Sequence, residues 1–256
     1  MIDWADEGVV LSARKHGEAA AIVNLLTRAH GRHAGLVRGG AGRRLRGILQ
    51  PGNEVTARWR ARLEEHLGTY TVELERERAS RLLGDALKLA GLSAACALSQ
   101  AALPEREPHA ALHEGLVALL EAMEGAPDWV ARYVRWELGL LRELGFGLDL
   151  RCCAATGVRD GLAYVSPRSG QAVSEAAAAP WRDKLLPLPA FLITGLIAGG
   201  QEAVAADDVA RGLELTGFFL ERRVFAPHDQ NVPAARARFV ERFARANTIS
   251  GDITGS

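Results

Sequence analysis

The sequence predicts an α+β protein of several domains, a small antiparallel β-barrel followed by helices. Three observations carry that expectation. Apolar and polar residues alternate with period two over the first 78 residues, the mark of half-buried strands. From Arg78 onward the apolar spacing changes to three and four. Between residues 148 and 180 both patterns lapse in a turn-rich stretch containing RCCAATGVRDGLAYVSPRSGQ, and helical spacing then resumes. At 256 residues and 48% apolar composition, the chain can bury a substantial core.

The strands can be read one by one. EGVVLSAR, AAIVNLLT and RHAGLVR are the first three, and RKHGE, HGR and LQPGN supply turns. The fourth, VTARWRARL, puts Val55, Ala57, Trp59, Ala61 and Leu63 on one face and Thr56, Arg58, Arg60 and Arg62 on the other. Trp59 therefore reads as core. A fifth, GTYTVELE, groups Tyr70, Val72 and Leu74. Five short strands within residues 1–78 suggest an OB-fold barrel.

The helical domain is expected in two parts. Residues 79–147 hold Leu82, Leu83, Ala86, Leu87 and Ala90 at helical spacing, then Leu112, Leu116, Leu119, Leu120 and Met123. PDWVARYVRWELGLLRELG follows, with Pro127 near its start and Gly145 past its end. Residues 181–247 contain helical patterning in PLPAFLITGLIAGG, in ADDVARGLELTGFFLERRVF with Asp207 as a cap, and in VPAARARFVERFARA. TISGDITGS, residues 248–256, has no period and is expected to be a disordered tail.

Charge is the most informative feature. The totals cancel at 31 basic against 31 acidic residues, yet Arg28 to Arg62 carries nine arginines and one acid, Glu54. The barrel region is strongly positive and the remainder equally negative. HGRHAGLVRGGAGRRLRGILQPG, residues 30–52, lacks the lysine and hydroxyl of a Walker A loop, so it does not cradle a nucleotide. It reads as Arg32 and Arg38 on a strand and Arg43, Arg44 and Arg46 on a flexible loop. Arg58, Arg60 and Arg62 then project at intervals of about 6–7 Å, close to the spacing of phosphates along a nucleic-acid strand. Together these eight arginines form a candidate polyanion surface. Arg238, Arg242 and Arg245 share a face of the last helix and are a candidate second contact.

Reactive chemistry is not indicated. Cys96 lies on an apolar helix, and Cys152 and Cys153 are adjacent, without the paired C-x-x-C spacing that gives zinc four ligands. No zinc or other cofactor is expected. His109 and His113 are four apart but lack the H-E-x-x-H order, and they read as a solvated helix start. There is no nucleophile elbow and no acid cluster of a two-metal nuclease, so the chain is not expected to be an enzyme. The acidic MIDWADEG is not a signal peptide, and the longest apolar run is too short for a bilayer, which points to the cytoplasm and to no membrane partner.

The segments DEGVVLSARKHGEAAAIVNLLTRAHGRHAGLVRGG, WRARLEEHLGTYTVE, RYVRWELGLLRELGFGLDLRCCAATG and YVSPRSGQAVS resemble the RecO family of DNA repair proteins, in its alphaproteobacterial form, over about residues 1–245. The resemblance implies an N-terminal OB-fold and a helical domain bearing a small zinc-finger-like insertion, here at 148–180. It implies binding of single- and double-stranded DNA, annealing of complementary strands, and help in loading RecA onto strands coated by single-strand-binding protein (SSB). It further implies RecR and the SSB C-terminal tail as partners, RecA indirectly, and residence at the nucleoid. Many members carry two cysteine pairs in the insertion. This chain keeps only Cys152 and Cys153, so the insertion is expected to hold its shape without metal, through residues such as Leu162, Tyr164 and Val165. Two other readings of the basic barrel are an RNA-binding OB module and a protein-interaction scaffold.

Overall fold

In the structure, a computed structural model, residues 1–193 and 204–253 are described. Five strands open the chain, β1 (Ile2–His16), β2 (Ala20–Thr27), β3 (Gly31–Val37), β4 (Glu54–Ala61) and β5 (Thr69–Arg76), with a short helix α1 (Arg43–Ile48) between β3 and β4. They close into a barrel in the order β1-β2-β3-β5-β4, with β4 returning to pair with β1. All pairings are antiparallel except β3 with β5, where Leu36 meets Thr69 and Val37 meets Tyr70. This is the OB-fold expected from the alternation. The core holds Val10, Val23, Leu25, Val55, Ala57, Trp59 and Tyr70. Trp59 is core, as its strand face predicts, and its Nε1 donates to the Leu67 carbonyl at 3.0 Å. Gly35 makes room for the Tyr70 ring, since a Cβ there would lie 2.3 Å from Cδ2.

Two segments go beyond the sequence reading. Strand β1 begins well before EGVVLSAR and takes in the acidic N-terminus, paired from Ile2 opposite Ala61 to Val9 opposite Glu54. The arginine loop is partly a helix. In α1, Leu45 and Ile48 lie three apart and pack against the barrel core, which orders the segment that Gly39, Gly40 and Gly42 seemed to free.

Helices α2 (Ala79–Leu82), α3 (Ala86–Ala102) and α4 (Ala110–Gly125) follow. Asp85 caps α3 by accepting from the amides of Leu87 and Lys88. Cys96 is buried against β1, and burial pushes its thiol up to about 12. The ties between these helices and the barrel are ionic. Arg78 is 1% exposed and bonds to Glu54 and, at 2.7 Å, to Glu124. Arg76 and Arg81 reach the other oxygen of Glu124 at 3.2 and 3.0 Å.

The compact units do not part where period two gives way. One comprises residues 1–125 with 233–239, so α2, α3 and α4 belong with the barrel. The other comprises 126–232 with 240–256. In it, α5 (Trp129–Glu143) precedes a small sheet of β6 (Leu162–Val165), β7 (Ala172–Ser174) and, after the one-turn α6 (Glu175–Ala178), β8 (Leu186–Pro187), in the order β7-β6-β8. Strands β6 and β7 lie in the insertion expected at 148–180, and β8 extends the sheet beyond it; Leu162 and Val165 are buried there and Tyr164 is half-buried. Helix α7 (Ala206–Phe219) packs on α5, where buried Thr216 donates to buried Glu137. Asp207 is not the cap of α7. Ala205 occupies that position, and Asp207 and Asp208 sit in the first turn, where their charge suits the helix dipole. The second half of the expected helix in PLPAFLITGLIAGG lies outside the described residues; in the first half Ala190–Leu192 is a single 3-10 turn. The last helix, α8 (Ala234–Ile253), runs into the segment expected to be a disordered tail, because no proline intervenes and each added residue gains a backbone hydrogen bond.

Candidate nucleic-acid interface

The arginine row of β4 is on the outer face, as its alternation requires, but it is not a bare row of charge. Asp3 on β1 lies directly opposite Arg60 and diagonal to Arg58. Arg58 holds it with two bonds, Nε to Oδ1 at 2.8 Å and Nη2 to Oδ2 at 2.6 Å, and Arg60 Nε adds a third at 3.0 Å. The Arg58 hydrogen bonds, with help from Arg60, bring the Asp3 carboxyl down to about 2. Further along, Thr56 is flanked by Glu7 and Glu73. Arg62, just beyond the strand, is exposed. The polar face of β4 is thus mixed in sign.

Arg32 is turned to internal use. Its side chain is only 16% exposed, with Nε donating to the Leu103 carbonyl at 2.8 Å and Nη1 paired with Glu105 at 3.0 Å. It fastens β3 to the segment after α3.

The uncompensated charge lies elsewhere. Arg38, Arg43, Arg44 and Arg46 are all exposed, and no ion pair joins them among the described residues. The Ala41 amide bonds to the Ala19 carbonyl at 3.0 Å, which lays their loop over the turn between β1 and β2. There it meets Arg14 and Lys15 at the end of β1. Arg14, Lys15 and Arg46 line a shallow groove of about 250 Å³ with Gly40, Ala41 and Gln50. Glu18, in the intervening turn, is the nearby acid. The basic residues therefore follow an arc from the end of β1 over the loop after β3 to α1. The residues in register between Lys15 and Arg58 are Ala21, Val37 and Tyr70, all buried, and Thr71, so the arginines of β4 stand apart from it. Arg14 and Lys15 were missed in the sequence because RKHGE reads there only as a turn.

Among the described residues no aromatic platform accompanies the arc. The Trp4 ring is covered by His30, stacked at 3.9 Å, and by Trp59 at 5.6 Å. Attraction of phosphate by charge is what this surface offers. On α8, Arg238, Arg242 and Arg245 are exposed, with Arg245 3.9 Å from Glu241.

The insertion does not fit zinc. Cys153 is 1% exposed, and its sulfur accepts from the Ser174 amide at 3.3 Å and the Ser174 hydroxyl at 3.4 Å. Thr156 stands at the C-x-x-C spacing and donates its hydroxyl to the same sulfur. One thiol ringed by hydroxyl and amide donors is not a tetrahedral thiolate set. No group of three or more His, Cys, Asp and Glu side chains suited to a metal occurs among the described residues. Burial pushes the Cys153 thiol up, and the donors from Ser174, Thr156 and Ala155 outweigh it to bring it down to about 6. No described helix is long and apolar enough to cross a membrane.

These features define a class: an OB-fold protein whose barrel carries a basic arc, continued by helices and a small sheet whose cysteines do not form a zinc ligand set among the described residues. Comparison with known proteins narrows it. A model of the recombination protein O N-terminal region matches residues 1–77, and one of the C-terminal region matches 83–231. DNA repair protein RecO of Rhodospirillum centenum is 57% identical over 252 residues, covering 98% of each chain. The RecO proteins of Rhodospirillum rubrum and Cereibacter sphaeroides are 53% and 52% identical over 96% of this chain. The chain belongs to the RecO family.

Proposed function

We propose that this member of a DNA repair and recombination family is a mediator that acts by binding rather than by chemistry. The observation that carries the reading is the arc of cations at Arg14, Lys15, Arg38, Arg43, Arg44 and Arg46, exposed and without internal partners among the described residues. Such a surface neutralises phosphates on single or double strands and reads no base edge. Two strands held on it repel each other less, so complementary strands meet and pair, and pairing supplies the specificity. Arg58 and Arg60, their weight reduced by Asp3, and the exposed Arg62 add a further contact on β4. Arg238, Arg242 and Arg245 remain a secondary DNA contact in this reading.

The same activity on SSB-coated strands helps RecA load, with RecR and the SSB C-terminal tail as protein partners and the nucleoid as the place of action. The test is annealing of complementary oligonucleotides coated with SSB. Charge reversal at Arg43, Arg44 and Arg46 is expected to abolish annealing; unchanged annealing rejects the mechanism. With about five phosphates contacted, the log–log salt slope on single strands is expected near −3 to −4.

A further inference from the structure

Of the five tryptophans, four are enclosed. Trp59, Trp129 and Trp136 are buried, and the half-buried Trp4 is covered by His30 and Trp59. Trp181 is the exception. It is 58% exposed, on the 3-10 helix Ala179–Lys184 that directly follows α6. An indole carries a large apolar area, and leaving it in water forfeits the stabilisation that burial brings.

The second observation is the set of polar groups around that ring. A 3-10 helix has three residues per turn, so residues three apart stand one above the other. Trp181 and Lys184 are related in this way, and the Lys184 ammonium lies over the indole, 5.6 Å from its centroid. Lys184 is exposed and has no carboxylate partner among the described residues. The indole Nε1–H has no acceptor among them either. The nearby acids do not cancel this. Asp183 falls on another edge of the turn, and Glu175 is taken by Arg182. The Arg182 guanidinium in turn lies 5.8 Å from the ring centre of the half-buried Tyr164 on β6. One exposed aromatic ring, one free N–H donor and one free ammonium thus share an edge.

An unpaired base with its phosphate fits all three. The base offers a π-face to the indole, and the phosphodiester offers the anion that both donors lack. A duplex does not fit, because its bases are already stacked on each other. An apolar peptide side chain would leave both donors unmet. We propose that Trp181 and Lys184 form a stacking site for an unpaired base of single-stranded DNA, a contact of a different physical kind from the basic arc. The proposal rests on the DNA-binding reading and adds to it a preference for unpaired strands.

The test is titration of the full chain with a labelled oligothymidine strand, read by anisotropy and by intrinsic tryptophan fluorescence, with a duplex of the same length alongside. Saturable quenching of the parent is expected as a base stacks on the exposed indole. Trp181→Phe keeps a ring to stack on, so it should retain most of the affinity and lose the quenching. Trp181→Ala should bind the single strand about tenfold more weakly, the worth of one base–aromatic stack. Its duplex affinity, urea midpoint and salt slope should stay parental. Lys184→Gln should flatten the single-strand salt slope by about 0.7. Parental single-strand affinity in Trp181→Ala overturns the proposal and leaves the DNA-binding reading standing. So does an equal loss on single strand and duplex, which removes the preference for unpaired bases. A parent that binds neither form overturns the DNA-binding reading, and this site falls with it. Unchanged DNA binding beside a concentration-dependent dimer that Trp181→Ala dissolves gives the ring to a second copy of the chain and overturns the proposal as well.

Discussion

Arg58 grips Asp3 with two parallel hydrogen bonds, at 2.8 and 2.6 Å, and Arg60 shares the same carboxylate at 3.0 Å. A strand that reads in isolation as a row of free cations is thus partly neutralised by its neighbour across the sheet. Asp3→Asn is expected to release both guanidinium groups, tighten single-strand binding a few-fold and steepen the salt slope by about 1.4, two contacts at about 0.7 each. Salt titrations of binding to an oligothymidine strand check this. Because the Asp3 carboxyl is held near 2, the pairing persists through the neutral and mildly acidic range and is lost only as pH falls through about 2.

The arginines of α1 and Arg32 should separate function from stability. Replacing Arg43, Arg44 and Arg46 with glutamine removes exposed groups from a helix held to the barrel by Leu45 and Ile48. DNA affinity should fall and the salt slope flatten by about 2, with an unchanged urea midpoint. Arg32→Gln should do the reverse, costing about 1–2 kcal/mol of stability through its lost bonds to Leu103 and Glu105, with the salt slope kept.

Arg78 is the ionic anchor of the first unit. Arg78→Met should destabilise by about 3–5 kcal/mol in urea unfolding, because it strands Glu54 and Glu124 beside a nearly closed site. Burial raises the Glu124 pKa, and bonds from Arg78 and Arg76 outweigh it, leaving the carboxyl below its ordinary value. Its contribution to stability is therefore complete above the unfolded carboxylate pKa, about 4.3, and is lost as pH falls through the lower folded value. The Arg78→Met variant should show a weaker dependence of stability on pH in that window.

Cys153 should titrate as a thiolate near 6, visible as ultraviolet absorbance at 240 nm. An acid whose folded pKa lies below the unfolded value, about 8.5, adds stability that is full above that value and is lost as pH falls through 6. Ser174→Ala removes the hydroxyl donor to the sulfur and should raise the titration midpoint, with metal analysis of both proteins finding no stoichiometric zinc.

The strands of the barrel were legible because alternation is a local property: VTARWRARL assigns Trp59 to the core with no knowledge of its neighbours. The helical spacing of Leu112, Leu116 and Leu119 was legible for the same reason. The site was legible only as composition. An arginine's availability depends on which acid the fold sets across from it, and Asp3 and Arg60 are 57 residues apart in the chain. His113 went the same way. Its spacing to His109 said helix surface, while packing of α4 beside the barrel buried both rings.

The sequence by itself determined the barrel, the helices that follow it, the concentration of positive charge and the absence of a thiolate set for zinc. These depend on period, residue type and spacing, which the chain carries along its own length. Tertiary structure decided which cations are spent internally at Arg32, Arg58 and Arg60, and which stand free on the arc. It also decided where Arg14 and Lys15 join Arg46. Coulombic and hydrogen-bond partners are chosen by distance in space, and strand register sets that distance.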